Sequence, residues 1–364
     1  INMSVGEPDF MTPGFIKEAG KKAIDDNYSK YSPVPGYPVL REAIARKLKR
    51  ENGLDYAASE IIVGTGGKQG VCNAILALVN PGDEVVIPAP YWVSYPQMVK
   101  LAGGTPVIVP AGIGQDFKIT AAQLEAAVTP KTKLVILCSP SNPTGSVYSE
   151  EELGELAKVV LAHDDLFVLS DEIYEHINYI GGHSSIAACP GMRERTVVCN
   201  GVSKAYAMTG WRLGWVAAPE WIVKGLGKLQ GQYTSGTSSV SQMAAVAAYE
   251  GDQSCVETFR ETFRRRRDLI VSLAKDVPGL EVNVPQGAFY LFPDCSAFFG
   301  KTDGRRTIGS STDLALYLLE EGHVATVGGD AFGAPRCFRM SYATSDDNIR
   351  EALRRIRHVL SKLK

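Results

Sequence analysis

Seven short apolar, β-branched runs separated by amphipathic helical stretches set the strongest limit on what this chain can become. IIVGTG (61–66), EVVIPAP (84–90), PVIVPA (106–111), KLVILCSP (133–140), LFVLSD (166–171), TVVCNG (196–201) and LGWVAAP (213–219) each read as a strand. Between them lie helix patterns such as PVLREAIARKLKREN and SEEELGELAKVVLAH; in the second, Ser149 is placed as N-cap and Glu152 closes a capping box. Strands that are apolar on both faces need cover on both. The alternation therefore specifies an α/β fold: a seven-stranded, mainly parallel sheet between helices.

Beyond about residue 250 the grammar changes. A long charged helix, SCVETFRETFRRRRDLIVSLAKD, leads into the strand candidates LEVNV, AFYLF, HVATV and CFRMSYA and then a closing helix, NIREALRRIRHVLSKLK. This reads as a smaller α+β domain. The expected division is a large domain over 14–250 and a small one made of 1–13 and 251–364. Glu257, Glu261 and Asp268 interleave the Arg264–Arg267 run, which reads as a solvated helix face rather than a nucleic-acid contact.

Composition narrows the partner. With 364 residues, 45% hydrophobic and a formal net charge of -2, the chain has a sizeable core and no electrostatic footprint for nucleic acid or anionic lipid. A small molecule is the expected ligand. Prolines and charges interrupt every apolar run before the roughly 20 residues of a membrane span. Seven cysteines without a C-x-x-C pair and five histidines without ligand spacing argue for a reducing compartment and against a metal site. A cytoplasmic protein is expected, with a plastid the alternative if a transit peptide precedes Ile1.

In an open parallel sheet, ligands sit in the crevice beyond the carboxyl ends of the strands, so the polar residues that close each run mark the place to look. IIVGTG ends on Gly66 and runs into Gly67 and Lys68; KLVILCSP is followed by Asn142; LFVLSD ends on Asp171 with Tyr174 close behind; TVVCNG is followed by Ser203 and Lys204. The glycine-rich turn suits a phosphate held on backbone N–H groups. Gln69 stands where a dinucleotide fingerprint needs its third glycine, and no Ser or Thr follows Lys68, so neither a dinucleotide nor ATP is favoured. NGVSKAYAMTGWRLGWVAAP (200–219) has only Lys204 and Arg212 as charged side chains, and cations in such apolar company require an anion from elsewhere. Singly, each residue has a plain alternative: a tight turn for the glycines, a helix cap for Asp171, packing for Trp92 and Tyr31, a surface ion pair for Arg339. Together they supply what pyridoxal phosphate requires. The set holds a lysine to form an imine and a carboxylate to keep a ring nitrogen protonated. It also holds N–H groups with an arginine for a phosphate, and a flat aromatic to stack.

Six motifs in chain order, YSPVPGYPVLR, PYWVSYP, SPSNPTG, LSDEIYEHI, SKAYAMTGWRLGW and FRMSYA, resemble those of class I aminotransferases, the fold-type-I pyridoxal phosphate enzymes. VGTGGKQ, SPSNPTGSVY and YTSGTSS point to the bacterial and plant-type subgroup acting on aspartate or prephenate. The resemblance implies that Lys204 carries the cofactor as an imine and serves as the proton carrier. Asp171 faces the pyridine nitrogen, Tyr174 and Asn142 the phenolic oxygen, and Trp92 the ring. Gly66, Gly67, Ser203 and Arg212 bind the phosphate, with Lys68 close by and Tyr31 supplied by a neighbouring subunit, which implies a homodimer with shared sites. Arg339 grips the substrate α-carboxylate beside Gly6, Trp92 and Asn142. GQYTSGTSS contains no arginine for a distal carboxylate, and the resemblance assigns that task to Lys68. The expected activity is ping-pong amino transfer between aspartate or glutamate and a 2-oxo acid such as oxaloacetate, 2-oxoglutarate or prephenate. An aromatic or broad-specificity aminotransferase and a fold-type-I lyase stay open on the same fold. A cofactor-binding regulator is the reading from another class, and no DNA-binding arm accompanies the chain to support it.

Overall fold

The structure, a computed structural model, describes residues 1–364. All seven expected runs form strands: β1 Ile61–Gly64, β2 Glu84–Ala89, β3 Thr105–Pro110, β4 Thr132–Cys138, β5 Phe167–Asp171, β6 Thr196–Gly201 and β7 Gly214–Ala217. They make one sheet in the order β1-β7-β6-β5-β4-β2-β3. From β3 to β6 every neighbour is parallel, whereas β7 runs antiparallel to both β6 and β1. The reversal follows from the connection. Residues 202–213 join β6 to β7 without an α-helix laid on the sheet, so the chain returns in the opposite direction and its loop stands over the carboxyl edge.

Period-two alternation along β4 explains the layers. Leu134 and Ile136 face one way, against Ala74 and Ile75 of helix Gly67–Leu78. Val135 and Leu137 face the other, against Leu153, Leu156 and Val160 of helix Glu150–Leu161. Each such side chain contributes about 1.5 to 3 kcal/mol on leaving water, which suits the unbroken apolar run from Leu134 to Leu137. The expected capping box starts the second helix: Ser149 Oγ accepts the Glu152 N–H at 3.1 Å, and the Glu152 carboxylate accepts the Ser149 N–H at 2.7 Å.

A second, antiparallel sheet has the order β8-β10-β9, with β8 Tyr290–Leu291, β9 Val327–Gly328 and β10 Phe338–Ser341. Phe263 and Ile270 of helix Ser254–Lys275, Leu314 and Leu318 of helix Ser311–Gly322, and Ile349, Leu353 and Ile356 of helix Asp346–Leu360 build its separate core. The amino-terminal residues join it, since Asn2 bridges to Ala325 and the Ser341 N–H donates to Met3 O at 2.7 Å.

Two expectations change here. LEVNV is not a strand: Glu281 makes an isolated bridge to Asp294, Asn283 Nδ2 donates to Thr144 O at 3.3 Å, and the N–H groups of Gln286 and Gly287 both donate to Gly145 O. Glu281 pairs with Asp294, and within LEVNV only the Asn283 side chain reaches the SNPTG loop, so no continuous ladder forms. The arginine run is not a uniformly solvated face either. Arg264 and Arg265 are exposed, but Arg266, with a side chain only 9% exposed, holds Asp9 through two bonds of 2.7 and 2.9 Å, and Arg267 lies 5.0 Å above the Tyr179 ring. That forked pair fastens the segment carrying Gly6 to the long helix.

Candidate active site

Because β4, β5 and β6 are parallel, their carboxyl ends share one edge of the sheet, and β1, reversed twice through β7, ends there too. A cavity of about 420 Å³ opens at this edge, between the two sheets. Eleven of the thirteen residues singled out from the sequence line it: Gly6, Gly67, Lys68, Trp92, Asn142, Asp171, Tyr174, Ser203, Lys204, Arg212 and Arg339. Gly66 lies just behind, at the start of helix Gly67–Leu78, with φ of +83°; a Cβ there would stand 2.5 Å from an Arg212 guanidinium nitrogen. Tyr31 is elsewhere. It is 98% exposed and does not reach the cavity of its own chain.

The strand ends aim the functional groups. Asp171 closes β5 and is buried; its Oδ2 accepts the Tyr95 hydroxyl at 2.6 Å and its Oδ1 the Ile173 N–H at 3.3 Å. Burial pushes its carboxyl up to about 6, while the Tyr95 and Ile173 bonds hold it down. Lys204, on the loop after β6, donates from Nζ to Gly6 O at 2.6 Å. Desolvation draws its ammonium down to about 8, against the pull of Glu7 and Asp171 in the opposite sense, and Arg212 and Arg339 lower it further. An amine in that range is free to act as a base near neutral pH.

Arg339, on β10, donates to Asn142 Oδ1 at 2.8 Å and to Ser4 O at 2.6 Å, its guanidinium lies 4.6 Å above the Tyr290 ring, and its Nε is buried without a partner. Arg212, held at φ of +53°, donates to Thr209 O at 2.9 Å. Lys68 stands 4.9 Å above the Trp92 ring, which meets Tyr95 edge-on at 5.3 Å. Tyr174 and Tyr290 share a hydrogen bond of 2.7 Å between their hydroxyls.

The cavity is short of negative charge. Lys68, Lys204, Arg212 and Arg339 line it, Asp171 is the one carboxylate in its wall, and the cations are held by main-chain carbonyls, an amide and ring faces instead of acids. A ligand with a phosphate and one or more carboxylates makes good that deficit. The donor set fits pyridoxal phosphate in particular: helix-start N–H groups with Arg212 at one end, Asp171 at the depth of the wall, Trp92 as a flat face and Lys204 as the amine.

Tyr95 and Tyr290 were not found from the sequence. Tyr95 lies inside the quoted PYWVSYP motif, three residues beyond Trp92, and a hydroxyl beside a predicted buried carboxylate was the available signal. AFYLF offered none, because five consecutive buried residues hide which one turns its polar end to the cavity. Val327 and Phe332, which close the cavity from the smaller sheet, come from segments without any motif.

Comparison with known proteins agrees with this geometry. The family model for class I and II aminotransferases matches residues 1–356. The chain is 50% identical over 359 residues to an aspartate/prephenate aminotransferase of Cereibacter sphaeroides, covering 98% of this chain and 90% of that one. It is 49% identical over 370 residues to a bifunctional aspartate aminotransferase and glutamate/aspartate-prephenate aminotransferase of Petunia hybrida, covering all of this chain and 77% of the relative. The crystal structure of an aspartate aminotransferase from Rhizobium meliloti superposes with a TM-score of 0.97 at 46% identity, covering all of this chain and 92% of the other. With the family model matching residues 1–356 and relatives 49–50% identical over 98% or more of this chain, the chain belongs to the class I and II aminotransferases.

Proposed function

We propose that this aminotransferase moves the amino group of aspartate or glutamate to a 2-oxo acid, prephenate among the acceptors, in a homodimer with shared sites. The observation that carries the substrate class is the excess of unpaired cations in the cavity, which exceeds what one phosphate needs. The names of the relatives from Cereibacter and Petunia support the same choice.

The residues divide the work. The N–H groups at Gly66 and Gly67, Ser203 and Arg212 hold the cofactor phosphate, Trp92 packs on its ring, and Tyr174 with Asn142 meets its phenolic oxygen. Pyridoxal phosphate supplies an electron sink that makes the Cα–H of a bound amino acid acidic. Asp171, kept ionised by the Tyr95 and Ile173 donors, favours a protonated ring nitrogen at the base of that sink. Lys204 would hold the aldehyde carbon, and its Nζ, when free, would take the substrate's Cα proton as a base and deliver it as an acid to the carbon it had held. Arg339 meets the α-carboxylate, and its unpartnered Nε is a donor in reserve for that bond. Lys68 meets the distal carboxylate as a point charge, which suits dicarboxylates of different shape. The donor leaves as a 2-oxo acid before the acceptor binds, so the kinetics are ping-pong.

Two features set this site in a larger frame. Arg339 and Gly6 belong to the core around the smaller sheet, while Lys204 and Asp171 belong to the larger one. We place a mobile small domain at 1–13 and 251–364 against a large domain at 14–250, so that closure brings the carboxylate grip onto the cofactor. Seven cysteines with no disulfide among them fit a reducing compartment, and the cytoplasm is the proposed location. No helix is long and apolar enough to cross a membrane.

Three outcomes are expected. Lys68→Ala should raise the KM for aspartate by about tenfold or more, the equivalent of about 1.4 kcal/mol, and leave tyrosine turnover nearly unchanged; equal losses for both would place Lys68 on the phosphate instead. Tyr31, almost wholly exposed, should complete the phosphate site of a second copy: sedimentation should give a dimer and Tyr31→Ala should weaken cofactor binding, and a single-chain mass would remove the shared site. The third concerns pH. The folded state raises the Asp171 carboxyl from 3.8 to about 6, so the cofactor-free protein loses stability as pH rises through that window and stays penalised above it. Asp171→Asn should therefore stabilise the cofactor-free protein above pH 6, by on the order of 3 kcal/mol, with the difference vanishing near pH 4. Denaturant unfolding at the two pH values measures it.

A further inference from the structure

Two hydroxyls in the cavity wall are not yet used by the reaction: that of Thr209, which donates to Glu7, and that of Tyr290. Tyr290 lies on β8, paired with Ser341 in the strand that also carries Arg339, and it is fully buried. Its hydroxyl is 2.7 Å from that of Tyr174, which belongs to the larger sheet's side of the cavity. A Cβ on Gly6 would stand 2.5 Å from the same hydroxyl, so a residue without a side chain leaves room for it. Above the Tyr290 ring, at 4.6 Å, lies the Arg339 guanidinium.

Two buried hydroxyls share one hydrogen bond, and only one of their protons can lie in it. If Tyr174 spent its proton there, it would have none to offer the cavity. Cations lie over both rings, Arg339 4.6 Å from that of Tyr290 and Lys204 5.8 Å from that of Tyr174, and the closer one draws more electron density from its phenol, which favours Tyr290 as the donor. Burial raises both phenols; Arg339 holds Tyr290 to about 12, while Tyr174 lies well above its usual value.

We infer that Tyr290 is a positioning residue whose hydroxyl donates to Tyr174, turning the Tyr174 proton into the cavity and strengthening it as a donor to the cofactor's phenolic oxygen. The inference rests on the reading that Tyr174 meets that oxygen. Since Tyr290 rides beside Arg339 on the smaller sheet, the same contact ties the carboxylate grip to the cofactor's partner across the cavity.

Tyr290→Phe keeps the ring under Arg339 and removes only the hydroxyl. In the cofactor-loaded protein the visible absorption of the Lys204 linkage titrates with pH, and a donor to the phenolic oxygen favours the form that has lost the linkage proton. Weakening that donor should raise the spectral midpoint in Tyr290→Phe by roughly half to one pH unit. Gly6→Ala, which forces the hydroxyl aside, should raise it likewise. In a Tyr174→Phe background, Tyr290→Phe should add nothing, since the relay has lost its far end. An unchanged midpoint in Tyr290→Phe, or the same shift in both backgrounds, overturns the inference while leaving Tyr174 in place. No shift in Tyr174→Phe alone overturns the reading of Tyr174 and the inference with it.

Discussion

An excess of positive charge at one edge of a parallel sheet, carried by the buried Arg339, the partly buried Lys204 and the exposed Lys68 and Arg212, is the constraint around which this protein is arranged. Four cations meet in a cavity whose wall holds one carboxylate, and each is steadied by carbonyl oxygens, an amide or an aromatic face that cannot cancel a full charge. For Arg339 and Lys204, which are withdrawn from water, such an arrangement costs stability until an anion arrives. The two hydrophobic cores, one on each side of the cleft, are large enough to bear that cost and to hold the groups in place meanwhile.

Behind the cavity the opposite rule holds. The chain leaving β5 turns Asp171 and Tyr174 forward, while Glu172 and Glu175 turn back into the protein, where every charge finds a partner. Glu172 accepts from Ser170, Ser185 and His183, at 2.8, 2.5 and 2.9 Å. Glu175 accepts from Asn52 and Asn200, each at 2.7 Å, and from the buried ammonium of Lys47. Burial opposes the charge on Glu175, yet Lys47 and the two histidines hold its carboxyl well below the usual range. Two satisfied carboxylates thus pin from behind the two residues that face the cavity. Neighbouring positions in one short segment serve opposite electrostatic ends, which is how a rigid support and an unsatisfied site coexist.

Much of this was legible in the sequence, for identifiable reasons. Runs such as LVIL and FVL can only be central strands of a covered sheet, and the rule that ligands lie past their carboxyl ends picked out Asn142, Asp171, Ser203 and Lys204 without a structure. The antiparallel return of β7 was not legible, because apolar runs do not state their direction; it depends on the loop that carries Lys204 and Arg212. LEVNV misled because its alternating pattern is right for a strand while Glu281 makes only an isolated bridge to Asp294 and the Asn283 side chain turns to Thr144, long-range contacts no local pattern contains. Arg266 misled for a similar reason: its partner, Asp9, lies far away in the chain. Tyr95 and Tyr290 act on other side chains, so their meaning emerges only when Asp171 and Tyr174 are placed in space.

The central claim is that Lys204, and no other amine in the cavity, forms the covalent link to the cofactor. Borohydride reduction of the yellow, cofactor-loaded protein followed by peptide mass spectrometry tests it most directly. The phosphopyridoxyl group should be found on the peptide containing Lys204 in stoichiometric yield. Its recovery on Lys68, or on no lysine at all, would contradict the account.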